Sequence, residues 1–514
     1  MAEVEVKNKK NDKSKLSSAL KKANNGFVNF IRNLKKVKLN SNVKYGIGIL
    51  VGIALILLIF DIIFKDKNVN YPIVFNTSEG DMYLLDSKSK KEADAIKLAV
   101  GESVSNVLYA NNSDRYILFK KGNDLYLFDK KDESETVKLI ENVKTYYFSD
   151  DDKYIVILDN NDNLNVYNYK NCTKIESDVS EILGVTEDKV LFEKDSVIYV
   201  RSINPKKDDR EKITAEYGYY MQFSENGKNI VYINKENNLM VYNVSKKKDN
   251  KIATNIKNYY CDNESCDRMF YVESGDVRVV HYYDGKKSTK VADGIYAVLA
   301  TDLEHKQIVY STVNDGKYTI YYHTVGKKAI KVEDNLTAIR TLKIFDGKEL
   351  YYITGKNEVK YVKISGDKVS KPKSLGTGVT GFLYQYNDGF AFVSDVDSKS
   401  NGTLFLARNG KAKKIDNSVN SSLITVNKDG NKIYYFKDYD VVGSLYVTSG
   451  SKNKKIDENV YTFSYINDDL LYYIKDYSGD KGRGDLFIYN KRKGTRVKEG
   501  VSRIANSPIK YKVK

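Results

Sequence analysis

The chain changes its pattern of hydrophobic and polar residues near residue 70. Residues 45–64 form one long apolar run in which Asp61 is the only charged residue. From Tyr71 onward, short runs of Val, Ile, Tyr and Phe alternate with polar residues at a period of two, and turn residues separate the runs. A period of two is typical of β-strands. The pattern therefore predicts one apolar helix followed by a long region of short strands.

The apolar run has the length of a transmembrane helix. At about 1.5 Å per residue, 20 helical residues cover the roughly 30 Å hydrocarbon core of a bilayer. A cleaved signal peptide has a shorter apolar region that ends in small residues, whereas this run ends in Phe-Asp-Ile-Ile-Phe-Lys. A buried core helix of this length would normally carry a polar face. Residues 45–64 are therefore predicted to cross the membrane once.

The segment before this helix is strongly basic. Residues 1–44 contain twelve Lys or Arg against three Asp or Glu, out of a net charge of +16 for the whole chain. Basic residues beside a transmembrane helix favour the cytoplasmic side. This places residues 1–44 inside the cell and the bulk of the chain outside, with residues 65–70 as a linker.

From Leu16 this tail has a helical period that suits a lipid surface; a flexible basic tail is the alternative. We expect contact with membrane lipids through residues 45–64 and this tail, and no nucleic acid, since no nucleic-acid motif accompanies the charge.

The strand-rich region repeats itself. Eleven similar strands begin 35 to 43 residues apart, at Ile73, Tyr116, Tyr154, Lys189, Asn229, Met269, Gln307, Glu349, Phe390, Lys432 and Leu470. A second strand follows about ten residues later, as in Asp124-Leu-Tyr-Leu-Phe, and weaker third and fourth strands precede the next repeat. Four short strands every ~40 residues is the period of a β-propeller blade. The predicted fold is therefore all-β, with four-stranded blades after one transmembrane helix; a β-sandwich or an open solenoid would not explain the fixed four-strand unit.

Two repeats carry a family resemblance. Phe148-Ser-Asp-Asp-Asp-Lys153 and Phe223-Ser-Glu-Asn-Gly-Lys228 each precede a strand, and Asn163-Leu164 and Asn238-Leu239 follow. This arrangement resembles the repeat of TolB-type, WD-repeat-like propellers, although the Pro of that repeat is absent. The resemblance covers roughly residues 71–514 and implies architecture only, since the family includes scaffolds, peptidase accessory domains and envelope proteins.

Eleven repeats exceed the four to eight blades of a usual ring. We therefore predict two propellers, with about five repeats in residues 71–266 and about six in residues 267–514. A single large ring, and one propeller with additional irregular β-structure, are the alternatives. Residues 509–513 are a candidate for the strand that pairs with the first blade and closes a ring.

The cysteines offer one candidate covalent link. Cys261 and Cys266 lie five residues apart in a turn-rich stretch, and Cys172 stands alone. A small-loop disulfide and a pair of free thiols are both open, whereas a metal site would need further ligands nearby. His281, His305 and His323 occupy different places in their repeats, which does not indicate a joint catalytic or metal site.

Two further motifs have ordinary explanations. Residues 395–402, Asp-Val-Asp-Ser-Lys-Ser-Asn-Gly, place oxygens at alternate positions as a calcium loop does, but lack the Glu that closes an EF-hand. Arg483-Gly484-Asp485 matches a cell-adhesion tripeptide, yet it falls where other repeats have Gly or Asn before a strand. We expect a hairpin loop and a blade strand, respectively.

These observations predict a binding protein of the cell membrane, with an extracellular propeller region and no cofactor or metal. Its partner would be an envelope protein or a cell-wall polymer, and its Lys, Asn and Tyr richness suggests a Gram-positive bacterium. The alternative is a propeller enzyme that acts on envelope glycans or peptides, although no catalytic motif supports it. A third hypothesis is a sensor that signals through the basic tail.

Overall fold

The computed structural model describes residues 72–505, except for residues 86–94, 102–103, 132–135, 263, 380–383, 450–451, 469 and 491–492. The predicted tail (1–44), transmembrane helix (45–64) and linker (65–70) lie outside the described residues. Within the described residues no helix is long and apolar enough to cross a membrane. The described residues belong to one compact unit.

The described residues form six antiparallel sheets of four strands, one of five, and one of thirteen strands that runs through four successive units. Each four-stranded unit is called a blade and is numbered here by the chain order of its second strand. Blade 1 contains β1 to β3, and blades 2 to 4 contain β4 to β15. Their bounds are β1 Ile73–Thr77, β2 Met82–Leu85, β3 Ile96–Ala99, β4 Val104–Tyr109, β5 Tyr116–Lys121, β6 Asp124–Asp129, β7 Thr136–Ile140, β8 Val143–Phe148, β9 Ile155–Asp159, β10 Leu164–Tyr167, β11 Cys172–Glu176, β12 Val179–Val185, β13 Lys189–Lys194, β14 Val197–Ser202 and β15 Glu211–Thr214.

Blades 5 to 8 contain β16 to β32, and blade 8 has a fifth, two-residue strand, β31. Their bounds are β16 Tyr217–Phe223, β17 Asn229–Asn234, β18 Leu239–Asn243, β19 Lys248–Ala253, β20 Ile256–Cys261, β21 Met269–Glu273, β22 Val279–Tyr283, β23 Ser288–Asp293, β24 Ala297–Asp302, β25 Gln307–Asn314, β26 Lys317–Thr324, β27 Ile330–Leu336, β28 Ile339–Phe345, β29 Glu349–Thr354, β30 Val359–Ser365, β31 Lys368–Val369 and β32 Lys373–Gly376.

The remaining strands include three long ones that each belong to two neighbouring blades. The full set is β33 Tyr384–Tyr386, β34 Gly389–Ser394, β35 Asn401–Arg408, β36 Lys411–Val426, β37 Lys432–Lys437, β38 Gly443–Ser449, β39 Lys452–Asn467, β40 Leu470–Ser478, β41 Arg483–Tyr489 and β42 Gly494–Ile504. Each of β36, β39 and β42 is the fourth strand of one blade and continues, through a register shift, as the first strand of the next. The described residues thus contain eleven blades, which confirms the all-β fold with repeated four-stranded sheets.

In most blades the second strand is the most buried strand. All five residues of β9 are buried, and so are all six residues of β34. The fourth strands are largely exposed, as in β19 and β23. This difference explains why the second strands gave the strongest sequence repeat, since they alone are hydrophobic on both faces.

Eleven hydrophobic clusters join the blades in a closed cycle. Ten of them lie between consecutive blades, and the eleventh joins blade 11 to blade 1. The predicted boundary near residue 267 falls inside blade 6, between β20 and β21, and the cluster that joins blade 6 to blade 5 includes Val231, Ile256 and Met269. Packing is therefore continuous at that point, and the division into propellers of residues 71–266 and 267–514 stays a prediction without a visible break.

The cycle closes through β42 and β1. Phe75 pairs with Ile504 and Asn76 with Arg503, and the Ala505 N–H donates to the Val74 carbonyl at 2.8 Å. Residues 501–504 therefore pair with the first blade, because β42 crosses directly from blade 11 into blade 1. The candidate closing segment at residues 509–513 lies outside the described residues.

A recurrent residue with positive φ marks the passage between blades. Ten of these connections have a residue with φ between 54° and 69°: Gly101, Asn142, Asp178, Asn255, Gly294, Asn335, Gly378, Ser418, Asn459 and Gly500. Gly, Asn and Asp tolerate this conformation best. In most of them a buried apolar residue follows, such as Val143 or Val460, and enters the cluster between blades.

Partly buried carboxylates form polar links between neighbouring blades. Asp457 of β39 accepts hydrogen bonds from Tyr473 Oη and Lys475 Nζ of β40, both at 2.7 Å. Asp416 of β36 accepts from Tyr435 Oη at 2.8 Å and Lys437 Nζ at 2.9 Å in the same way. Burial alone raises the pKa of each carboxyl, but the bonds from Lys and Tyr outweigh burial and hold the pKa below its ordinary value.

Candidate functional site

A polar cavity of about 420 Å³ lies where blade 11 meets blade 1. We call it the seam pocket. It is formed by the β1–β2 hairpin, the β40–β41 hairpin and the crossing point of β42, and these segments meet because β42 pairs with both β41 and β1. Its lining residues are Thr77, Ser78, Glu79, Asp81, Tyr83, Asp476, Ser478, Lys481, Arg483, Gly484, Asp485, Lys498, Glu499 and Gly500.

Hydrogen bonds between the two blades hold the wall of the seam pocket. The Ser78 N–H donates to the Gly500 carbonyl at 3.0 Å. Arg483 Nη1 donates to Ser78 Oγ at 3.2 Å. Both contacts join residues that are more than 400 positions apart in the chain, so the pocket exists only when the cycle is closed.

One acidic residue of the pocket is firmly fixed. Asp81 Oδ1 accepts the Gly101 N–H at 2.8 Å, and Asp81 Oδ2 lies 2.6 Å from Lys97 Nζ. The bond from Lys97, followed by that from Gly101, holds the pKa of Asp81 below its ordinary value. Asp81 is therefore a permanent anion at neutral pH, and its role is that of a fixed negative charge.

The pocket has more negative than positive groups. Its five carboxylates face three cations, which leaves two net negative charges in a chain whose total is +16. Two cations outside the lining balance this charge: Lys97 pairs with Asp81, and Arg496 lies 3.5 Å from Asp485 and 2.7 Å from Glu499. Glu79 and Asp476 are exposed and make no ion pair within the described part of the chain. The pocket is thus suited to a ligand that carries a positive charge.

An aromatic ring and a buried hydroxyl complete the lining. The Tyr83 ring stacks on Phe75 at a centroid distance of 5.7 Å, and Lys498 Nζ lies 5.2 Å from its centroid. Thr77 Oγ1 is buried and has no hydrogen-bond partner within the described residues. A bound polar group that reaches this oxygen would satisfy it.

The Arg483-Gly484-Asp485 tripeptide lies inside this site but not on an exposed loop. It begins strand β41, and Gly484 is buried. A Cβ at Gly484 would lie 2.5 Å from the Lys475 carbonyl, so the glycine is required by the close approach of two strands. The blade geometry explains why this tripeptide occurs here, so a role in cell adhesion is not needed to explain it.

Gly484→Ala is expected to destabilise the chain by about 1–3 kcal/mol, because the added methyl group overpacks a β-strand contact. Gly479→Ala is the matched control, since a Cβ there meets nothing within 4 Å. Urea unfolding of both variants measures the difference. Equal stability of the two variants would contradict the steric role given to Gly484.

The structure brings Cys261 and Cys266 together. Their sulfur atoms are 3.2 Å apart, and both are free thiols. Cys172 is exposed on β11 in another blade. No group of three or more His, Cys, Asp or Glu side chains in the described part of the chain is arranged to hold a metal ion.

The three histidines lie apart from one another. His281 Nε2 is 3.3 Å from Glu273 Oε1, and His305 Nδ1 is 2.9 Å from Asp302 Oδ2. His323 Nε2 contacts the Lys327 carbonyl at 2.8 Å, and burial lowers its pKa. Each histidine has a local structural contact in its own blade.

The calcium-like sequence forms the turn between β34 and β35. Asp397 Oδ1 accepts the N–H groups of Lys399 and Asn401, both at 2.9 Å, and the Ser400 N–H donates to the Asp397 carbonyl at 3.0 Å. These bonds are those of an Asx turn. The carboxylate is therefore occupied by the backbone of its own hairpin.

Sequence reasoning missed the seam pocket. Its residues come from two hairpins at opposite ends of the blade array, and no contiguous motif unites them. The available signal was the Gly, Asn, Asp or Ser that has positive φ at ten of the passages between blades, and Gly500 is the one at which β42 enters blade 1. That signal, combined with the repeat, locates the crossing point.

No protein family model matches the chain, and no curated protein matches it. Among solved structures, a eukaryotic initiation factor is similar at 11% identity and a TM-score of 0.42, over 85% of this chain and 98% of that chain. The tricorn protease is similar at 12% identity and a TM-score of 0.29, over 86% of this chain and 59% of that chain. Hsv2 of Kluyveromyces lactis shows 10% identity and a TM-score of 0.28, over 52% of this chain and 98% of that chain. These low values carry no conclusion about activity.

Proposed function

We propose that this chain is a non-catalytic binding protein of the cell membrane, whose blades are of the TolB type. A single helix at residues 45–64 anchors it, residues 1–44 remain in the cytoplasm, and the blades face outward. Its partner is a protein or polymer of the cell envelope, and the seam pocket is the binding site. The observation that carries this proposal is the pair of exposed carboxylates in the seam pocket, Glu79 and Asp476, which have no ion pair in the described part of the chain.

The ligand group that suits the seam pocket is an ammonium group. Glu79 and Asp476 are exposed carboxylates without an ion pair in the described part of the chain, so binding a cation breaks no existing contact. The Tyr83 ring already has Lys97 and Lys498 against it, at 5.7 Å and 5.2 Å from its centroid, so the two carboxylates select the ligand. A free peptide amine and an amino sugar both carry an ammonium group, and both occur in polymers of the kind expected outside a membrane.

The test measures binding of envelope fragments to the full chain and to Glu79→Gln/Asp476→Asn. Losing two charge-assisted contacts, each worth about 1.5–3 kcal/mol, should weaken binding at least tenfold. N-acetylation of the fragments should have the same effect on the unmodified chain. Glu187→Gln/Asp208→Asn is the control, since it removes the same charge from exposed positions of blade 4. Equal affinities in all proteins would contradict the assigned site.

An enzyme that acts on glycans or peptides is the second candidate, and the five carboxylates of the seam pocket favour it. Acid catalysis requires a carboxyl whose pKa is raised, whereas the pKa of Asp81 is lowered. Mass spectrometry of the fragments after incubation separates the two candidates. Shortened fragments that Asp476→Asn fails to produce would establish the enzyme.

A further inference from the structure

The loop between β20 and β21 holds two thiols in position to react with each other. Cys261 ends β20 and is partly exposed, whereas Cys266 is fully buried, with φ at 52°. Their sulfur atoms lie 3.2 Å apart. A bond between them requires only a small further approach of the two side chains, because the backbone already brings the thiols face to face.

Hydrogen bonds within the loop maintain this arrangement. Asp262 Oδ1 accepts the Ser265 N–H at 2.7 Å and the Cys266 N–H at 3.0 Å. Cys266 Sγ donates to the Asp262 carbonyl at 3.2 Å, and Cys261 Sγ donates to Gln222 Oε1 at 3.1 Å. These hydrogen bonds hold the two thiols close to each other.

The two thiols differ in reactivity. Contact with Cys261, followed by burial, raises the pKa of the Cys266 thiol. Cys261 is the more accessible of the two to a reagent in solution. A reagent therefore meets Cys261 first, and Cys266 is placed to complete the exchange.

The loop also connects two blades. Asn229 Nδ2, at the start of β17 in blade 5, donates to the Ser265 carbonyl and to Asp267 Oδ1, both at 2.8 Å. The Asn226 N–H donates to the Glu264 carbonyl at 3.1 Å. Cys266 packs in the cluster that joins blades 5 and 6. A covalent closure of this loop would therefore brace that interface.

We propose that Cys261 and Cys266 are a modification site that a disulfide oxidant converts reversibly into a disulfide. The Cys261 thiolate attacks one sulfur of a low-molecular-weight disulfide, which breaks the S–S bond of the reagent and releases one thiol. The Cys266 thiolate then attacks Cys261 Sγ and releases the second thiol. The protein loses two protons and two electrons, and the reagent gains them.

The experiment incubates the reduced full chain with glutathione disulfide, alkylates the remaining thiols and digests the chain with trypsin. Both cysteines lie in one tryptic peptide, residues 258–268, because no Lys or Arg separates them. We expect that peptide to lose two hydrogens and to escape alkylation, whereas the peptide with Cys172 is alkylated or carries glutathione. We also expect the thermal midpoint to rise by a few degrees on oxidation and to return on reduction.

Cys261→Ser is the matched variant, because it removes the accessible thiol with little change in volume. Its thermal midpoint should not respond to the oxidant, whereas Cys172→Ser should respond like the unmodified chain. Alkylation of both cysteines after oxidation would overturn the proposal. A stable glutathione adduct on Cys261, or a bond from Cys261 to Cys172, would overturn it as well.

Discussion

Removal of β42 is expected to abolish cooperative folding of the blade array. Ending the chain after residue 493 deletes the fourth strand of blade 11 and the first strand of blade 1 together. Val497 and Val501 are buried in the closing cluster, and burying each stabilises the fold by about 1.5–3 kcal/mol. Loss of both, with their strand pairing, approaches the whole stability of a typical domain.

The truncation also exposes the edges of β1 and β41. Unpaired strand edges pair with other chains, so we expect aggregation as well as the loss of a single unfolding transition. A chain that ends after Ala505 is the control, because it keeps every strand described here. Circular dichroism and size-exclusion chromatography compare the two. If the chain that ends after residue 493 is monomeric and unfolds cooperatively, the closing role of β42 is refuted.

Asp457→Asn is expected to lower the free energy of unfolding by about 3 kcal/mol. The substitution removes the anion that Lys475 and the fully buried Tyr473 contact, and the loss of two charge-assisted hydrogen bonds at a partly buried site, each worth about 1.5–3 kcal/mol, carries a cost of this size. Glu458→Gln is the adjacent control, since Glu458 pairs with Lys455 on the exposed surface. That control should cause no measurable change.

The same carboxylate gives stability a defined pH dependence. The pKa of Asp457 is lower in the folded chain than in an unfolded one, near 3.9, so its contribution is fully present above the unfolded value. It is lost as the pH falls from about 5 through the folded value. Urea unfolding at pH 3 to 7 should therefore show a smaller acid-dependent loss in Asp457→Asn than in the unmodified chain. If the free energy of unfolding falls equally with pH in Asp457→Asn and in the unmodified chain, Asp457 does not have the assigned role.

The repeat was predictable from local pattern alone. Tyr116, Gln307 and Leu470 each begin a second strand at the position that the spacing indicates. Hydrophobic residues on both faces make these strands stand out in the sequence. The first and fourth strands are amphipathic or exposed, so their bounds, and the fusion of fourth and first strands in β36, β39 and β42, were not evident.

The polar features depend on contacts that local pattern does not contain. Asp457 follows a Lys-Ile pair that marks an exposed strand, yet its partners are on the next blade. The seam pocket requires knowledge of which blade meets the first one. Arg503 and Asn76, which contact each other there, are 427 residues apart. Alternation along a strand carries no information about such a pairing.

Closure of the cycle between β42 and β1 is the central claim, and a cross-link tests it most directly. Asn76 and Arg503 are paired across the two strands, and Arg503 Nε donates to Asn76 Oδ1 at 3.2 Å. Opposed residues of antiparallel strands lie within the Cα separation that a disulfide spans. The measurement is a non-reducing denaturing gel of Asn76→Cys/Arg503→Cys, with the three native cysteines replaced by Ser and with Asn76→Cys/Lys290→Cys as control.

We predict a cross-linked monomer with altered mobility, formed in high yield at every protein concentration and absent from the control. Absence of the cross-link, or a yield of dimers that rises with concentration, would contradict closure between the first and last blades.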